Sequence, residues 1–227
     1  MRKIVLLVLL CVAFTLNAQT FSPYGAYITS EGTPDTLSAS QGFMGSAPLT
    51  VMFRSNPLTT YDAATQLEWH FFDQRNNSKV AFLIRYDEDT EYTFTTAGTF
   101  RIVLYEILKG DTVAIYDPIS VSISESELLM PNAFSPNGDG INDVYKAKSG
   151  FKSIVEFHAV VFNRWGQKLY EWNDPSGGWD GTFRGRDVAP GVYFVNVKAR
   201  GADGREFRIK KDINLLRTYS ETTTVQP

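Results

Sequence analysis

The sequence predicts an all-β protein made of two immunoglobulin-like antiparallel β-sandwiches. Three observations predict it. Short segments alternate apolar and polar residues at period two, as half-buried strands do. Clusters of Gly, Pro, Asn and Asp separate those segments. No long segment combines a helical period with caps. A sandwich of this type needs about 100 residues, and the 227-residue chain has room for two behind its N-terminal segment.

The chain opens with a basic Met1-Arg2-Lys3, an almost unbroken apolar run from Ile4 to Phe14, and Thr15 to Ala18. This is the layout of a secretory signal peptide over residues 1–18, with cleavage expected after Ala18. The run is too short to span a bilayer comfortably; a retained anchor is the alternative. Cys11 follows Leu10, where a lipid-anchor signal wants a small residue, so no lipid anchor is expected. Without Cys11 the mature chain has no cysteine, hence no disulfide and no thiol chemistry. No later apolar run approaches membrane-spanning length. Residues 19–38 are polar and read as a loosely held lead-in.

The alternation then begins. Leu49, Val51 and Phe53 share one face, as do Leu67, Trp69 and Phe71, then Phe100, Ile102 and Leu104. Later, Val155, Phe157, Ala159 and Val161 fall on one side, and "GVYFVNVKA" and "REFRIKKDINLL" continue the pattern. The boundary is expected within "SESELLMPNAF", giving a first domain over 39–127, a second over 128–217 and a tail over 218–227. The connection is short, so the halves are expected to sit close together. A formal net charge of −3 argues against a surface that tracks phosphates, so no nucleic-acid partner is expected.

In the first half, Trp69 and Phe71 lie on a Trp-x-Phe strand, and Tyr92, Gly98, Thr99 and Phe100 form a "Y…aGtF" element. Together they resemble a PKD-type immunoglobulin-like domain. That family has Gly-Asp-Gly after the Trp-x-Phe; Phe72-Asp73-Gln74 stands here, so a different turn is expected. Such domains are spacers or binding modules.

The second half carries spaced motifs. Pro131, Asn132, Phe134, Ser135, Pro136, Asn137, Gly138, Asp139, Gly140, Asn142 and Asp143 belong to "PNAFSPNGDGIND". Asn163, Arg164, Trp165 and Gly166 form a hairpin-turn signal, with Asn and Gly tolerating positive φ. Trp179, Asp180 and Gly181 stand in "GWDG", Gly191 and Tyr193 in "PGVY", and Arg217 ends "INLLR". In this order they resemble the gliding-motility-associated C-terminal domain, the type B sorting domain of the type IX, or Por, secretion system. The resemblance implies recognition by type IX secretion and surface-attachment machinery, then a cell-surface, outer-membrane or secreted location. With so small a payload it implies an accessory or signalling component; a small adhesin or glycan-binding protein is the alternative. Trp165, Trp179 and Tyr193 read as core aromatics, with a carbohydrate platform as the competing reading.

The first of these motifs could also hold an ion. Asn137, Asp139 and Asp143 offer hard oxygens that suit calcium. An EF-hand is excluded, because Lys146 stands where the bidentate Glu belongs. An irregular calcium loop and a loop that caps its own turns both remain. Catalysis has little to work with. His70 and His158 alternate to the outer faces of their strands, and no Gly-x-Ser-x-Gly or His-Glu-x-x-His appears. No enzymatic activity is expected. Asp35-Thr36-Leu37 and Asp111-Thr112-Val113 resemble bacterial O-glycan acceptor sites, with Thr36 and Thr112 as acceptors. Arg208 and Lys210 on one face, with Lys211 on the other, read as a solvated strand or a contact for an acidic partner or lipopolysaccharide.

Overall fold

The computed structural model describes residues 20–29, 31–39, 41–76 and 79–217. The expected signal peptide with Cys11 and the tail after Arg217 lie outside the described residues. The first unit contains β1 (Tyr24–Ile28), β2 (Pro34–Leu37), β3 (Met44–Gly45), β4 (Leu49–Arg54), β5 (Thr65–Asp73), β6 (Leu83–Arg85), β7 (Thr90–Phe94), β8 (Gly98–Leu108), β9 (Asp111–Ile115) and β10 (Ile119–Ile123). The second contains β11 (Ala133–Phe134), β12 (Tyr145–Lys146), β13 (Ile154–Phe162), β14 (Lys168–Trp172), β15 (Gly178–Trp179), β16 (Thr182–Phe183), β17 (Arg186–Asp187), β18 (Gly191–Gly201) and β19 (Glu206–Leu215).

Two sheets build the first unit, ordered β2-β1-β4-β7 and β3-β10-β8-β5-β6, with β9 on β8. Alternation places Leu49, Val51 and Phe53 inward from one sheet. Leu67, Trp69, Phe71, Phe100, Ile102 and Leu104 face them from the other, and all nine lie in one core. Trp69 is fully buried, and its indole N–H donates to the Glu88 carbonyl at 3.2 Å. The pairing is antiparallel except for two-residue parallel contacts of β3 with β10 and β11 with β19. After Trp69-His70-Phe71 the chain makes a 3-10 turn, Gln74–Asn76, capped by Asp73, whose carboxylate accepts the Arg75 N–H at 2.9 Å.

The lead-in expected over 19–38 is corrected. β1 pairs with β4, and β2 pairs with β1, so residues 24–37 supply half of one sheet. Phe21 is fully buried, and Leu37 is in the core. At five and four residues neither strand carries a strong alternation, and their burial in the sheet with β4 is a tertiary fact.

The second unit is one five-stranded sheet, β11-β19-β18-β13-β14, closed on its inner face by the ribbons β12-β15 and β16-β17 and their loops. Its core joins Phe134 of β11, Phe157, Ala159 and Val161 of β13 and Tyr193, Val195 and Val197 of β18 to Tyr145 and Trp179 from the covering ribbons. The single inward face expected for Val155, Phe157, Ala159 and Val161 is corrected at its first member. A register shift between Ile154 and Glu156 inverts the alternation. Ile154 enters the second core, and Val155 packs against the first.

That bulge lies at a junction of small residues. The Ser153 N–H donates to Ser46 Oγ at 2.6 Å, and the Ala47 N–H to Ser153 Oγ at 3.2 Å. The Ala97 N–H reaches the Ala202 carbonyl at 2.9 Å. The Ser126 hydroxyl donates to Asp203 Oδ1 at 2.7 Å and its N–H to Oδ2 at 3.1 Å. Ala202 itself sits in the first core. Among the described residues no helix is long and apolar enough to cross a membrane.

Candidate functional site

Three of the motifs meet at one side chain. Arg217 follows β19 and is largely shielded. Its Nη1 donates to the Pro136 carbonyl at 3.0 Å and its Nη2 to the Gly181 carbonyl at 2.7 Å. Its Nε reaches the Val188 carbonyl at 3.4 Å, and Nη2 pairs with Asp187 at 3.1 Å. A guanidinium presents its donors in a planar fork, which is why one Arg can fasten three separate segments. Gly181 is the close point: φ is +79°, and an added Cβ would meet Leu215, Pro136 and Arg217 at 3.1 to 3.2 Å.

Beneath this clasp lies an aromatic stack. Phe134 is 5.4 Å from Trp179 and 5.7 Å from Tyr145, and Trp179 is 5.1 Å from Tyr193. Each polar handle is satisfied by a nearby carbonyl. Trp179 Nε1 donates to Thr182 at 2.7 Å, the Tyr145 hydroxyl to Pro131 at 3.1 Å, and the Tyr193 hydroxyl to Ala189 at 2.6 Å. Burial raises the Tyr145 pKa. It raises that of Tyr193 too, against the opposing pull of the Arg217 and Arg164 cations. Asn132 receives Lys211 Nζ on its side chain, so Lys211 fastens the segment before β11 to β19. Arg208 pairs with Glu206 at 2.8 Å.

The loop after Phe134 caps itself. Asp143 Oδ1 accepts the N–H groups of Asn137 at 2.9 Å and Gly138 at 2.7 Å, and Oδ2 that of Gly140 at 2.8 Å. These bonds, Gly138 first, hold the Asp143 carboxyl below the usual range. Asp139 accepts from Ile141 at 2.8 Å and from the Asn137 amide at 2.9 Å. Asn137, Asp139 and Asp143 do come together, and their carboxylates face N–H donors, the arrangement of the self-capping alternative. Among the described residues no three His, Cys, Asp or Glu side chains group to hold a metal. Ser135 is buried and donates its N–H to the Asn142 carbonyl at 2.9 Å, closing the loop.

Asn163 to Gly166 form the turn between β13 and β14. Gly166 takes φ +79°, whereas Asn163 acts as a cap, its Oδ1 accepting from Trp165 and Gln167, each at 3.0 Å. The core role expected for Trp165 is corrected, since it is 77% exposed. It stands at the tip of a turn, beyond the sheet face that alternation could bury. Trp172, on β14, fills the core in its place. Trp165 instead borders an open cleft with Phe183, Val188, Pro190, Val192 and Phe194. The sequence carried a signal for this cleft. In "GVYFVNV", Val192 and Phe194 are apolar on the face opposite Tyr193 and Val195.

Elsewhere, His70 Nε2 lies 2.8 Å from Glu68 and its ring 4.2 Å from Tyr105, while His158 meets Asn173 at 2.8 Å. Thr36 and Thr112 are both exposed. A second open cleft, in the first unit, is bordered by Tyr61, Tyr86, Gln66 and Glu88.

No curated protein matches the chain. Similar solved structures include the chicken CNTN1 FN1-FN3 domains, at 8% identity and a TM-score of 0.27 over 85% of this chain and 76% of that one. They also include fibronectin(III)-like modules of Clostridium thermocellum CbhA, at 12% identity and a TM-score of 0.25 over 77% of this chain and 87% of that one. Residues 128–211, which hold the aromatic stack and most of the segments gathered by Arg217, match the family model of the CHU_C type IX secretion signal domain.

Proposed function

We propose that the chain is a non-enzymatic protein exported through the type IX secretion system and held at the cell surface or outer membrane, or released. The second unit is its address. The first is a PKD-like module, and the protein acts as an accessory or signalling component of the system through its C-terminal unit. Size and domain order are similar to those of the small Por-system protein PorA. The observation that carries this reading is the family match over residues 128–211. The test compares the full chain with a chain ending at Ser126, in a type IX-competent strain and an isogenic strain without the system. Protease shaving should find the full chain at the surface of the competent strain alone, and deletion of the gene should impair export or attachment of other cargo. Equal surface exposure of the shortened chain would sink the address reading.

The second reading is a small glycan-binding surface protein. The cleft of the first unit favours it, with Tyr86 68% and Tyr61 36% exposed beside Gln66 and Glu88. Aromatic walls with a few convergent polar groups are the makeup of a small-ligand site. It predicts normal export of other cargo and lost polysaccharide binding in Tyr86→Ala.

A further inference from the structure

The far end of the second unit carries a cleft that the core does not require. β13 and β18 begin and end at the junction, at Ile154 and Gly201, and run roughly 30 Å to Phe162 and Gly191. There Trp165, Val192 and Phe194 are 77%, 49% and 45% exposed. They line a cleft of about 540 Å³ in which Arg164 is the only charged residue among those described. Further guanidinium groups stand at its edge. Arg164 lies 4.8 Å from the Trp165 ring centre, and Arg184 lies 5.1 Å from that of Phe183. Arg186 faces Phe183 across the ribbon. Among the described residues no carboxylate pairs with Arg164, Arg184 or Arg186, whereas Arg200, Arg208 and Arg217 of the same unit are each paired. Arg184 also holds φ +52° beside Gly185 at +74° in a two-residue hairpin turn, a place that such turns give to Asn or Gly. An arginine kept there at a backbone cost points to use of its side chain.

Exposed Trp and Phe with unpaired Arg make up the hot spots of protein interfaces. The unpaired charge is one-signed and rims a concavity with apolar walls, since the Asp187 carboxylate on the same ribbon is taken by Arg217. That fits an extended protein segment better than a lipid surface, which a convex spread of cations would suit.

Resting on the type IX reading above, we propose that this cleft docks an acidic segment of a protein of the export or surface-attachment machinery. Trp165 and Phe194 are its apolar anchors, and Arg164, Arg184 and Arg186 receive its carboxylates. The test uses the full chain in the competent strain, as wild type, Trp165→Ala, the triple variant Arg164→Glu/Arg184→Glu/Arg186→Glu, and Arg208→Glu as a control on the opposite stretch of the sheet. Thermal melts of the purified proteins report folding, and protease shaving reports display. Cleft variants that melt like the wild type yet lose display at least tenfold, with the control unaffected, are the expected result. Full display of folded cleft variants would overturn the docking surface and leave the address reading intact. A wild-type chain retained in the periplasm of the competent strain would overturn the address reading, and the docking inference with it. Wild-type binding to lipopolysaccharide vesicles that the triple variant loses would assign the cleft to a phosphorylated lipid and overturn the protein partner.

Discussion

The two units reach a similar end by different means. In the first, two sheets face each other, and strand residues fill most of the space between them: Phe53 lies 5.9 Å from Trp69 and 5.4 Å from Phe71, each on a regular strand. In the second, one sheet supplies one wall of the core, and loops and two-residue ribbons close the other. The spaced motifs of the second unit are therefore mostly the means by which its loops are held down. Pro136, Gly181 and Arg217 touch one another, and Phe134, Trp179 and Tyr193 stack beneath them. The difference teaches that a motif can be diagnostic without being a contact surface. What a partner could touch is what the loops leave out, and the open clefts differ in the same way. Among the described residues, Glu88 is the only charged one lining the cleft between Tyr61 and Tyr86, and Arg164 the only one lining that beside Trp165.

The largest expected effect tests whether loop-borne aromatics carry as much as strand-borne ones. Trp179→Ala removes a fully buried ring and should cost about 3–5 kcal/mol, as much as Trp69→Ala in the first unit. Guanidinium titration with limited proteolysis would show which unit fails; a small loss for Trp179→Ala would mean the loops are dispensable. Arg217→Ala should cost about 2–3 kcal/mol by leaving carbonyls of three segments without their donor. Arg217→Lys should recover only part, because an ammonium cannot reproduce the fork. Gly181→Ala should cost about 1–2 kcal/mol, from positive φ and the tight approach of Pro136 and Leu215.

Smaller effects sharpen the contrast. The Asp143 carboxyl titrates below its ordinary value in the folded loop, so its contribution is present above about pH 4 and is lost as pH falls through the lower folded value. Amide exchange at Gly138 and Gly140 should quicken over that window, while the junction amide of Ala97 stays protected. A flat profile would contradict the self-capped loop. Least of all, Trp165→Ala should leave stability within about 0.5 kcal/mol, as for an exposed side chain. A large loss would return Trp165 to the core.

Much of the first unit was legible because alternation is a local signal: Leu49 to Phe53 and Leu67 to Phe71 point inward as their period requires. The strands Tyr24–Ile28 and Pro34–Leu37 were not, because such short strands without a strong alternation look like loops until β4 pairs with the first and the first with the second. Val155 was misread because a bulge changes parity without changing the pattern. In the second unit the order of the motifs was legible, but their geometry was not. Nothing in "NRWG" says that its tryptophan stays outside while Trp172 goes in, and "SPNGDGIND" announces a self-capping loop without saying that Asp143 is the residue that gathers three of its N–H groups. Those outcomes depend on where sheets end and on which donors the fold leaves unsatisfied.

The measurement that most directly tests the account fuses the second unit with its tail, Leu128 to Pro227, behind a signal peptide and a fluorescent protein. Protease shaving then follows the reporter in strains with and without a working type IX system. Surface display in the competent strain alone is the predicted result. A reporter held in the periplasm of both strains would contradict it, and would make the second unit a periplasmic docking or signalling module in place of an address.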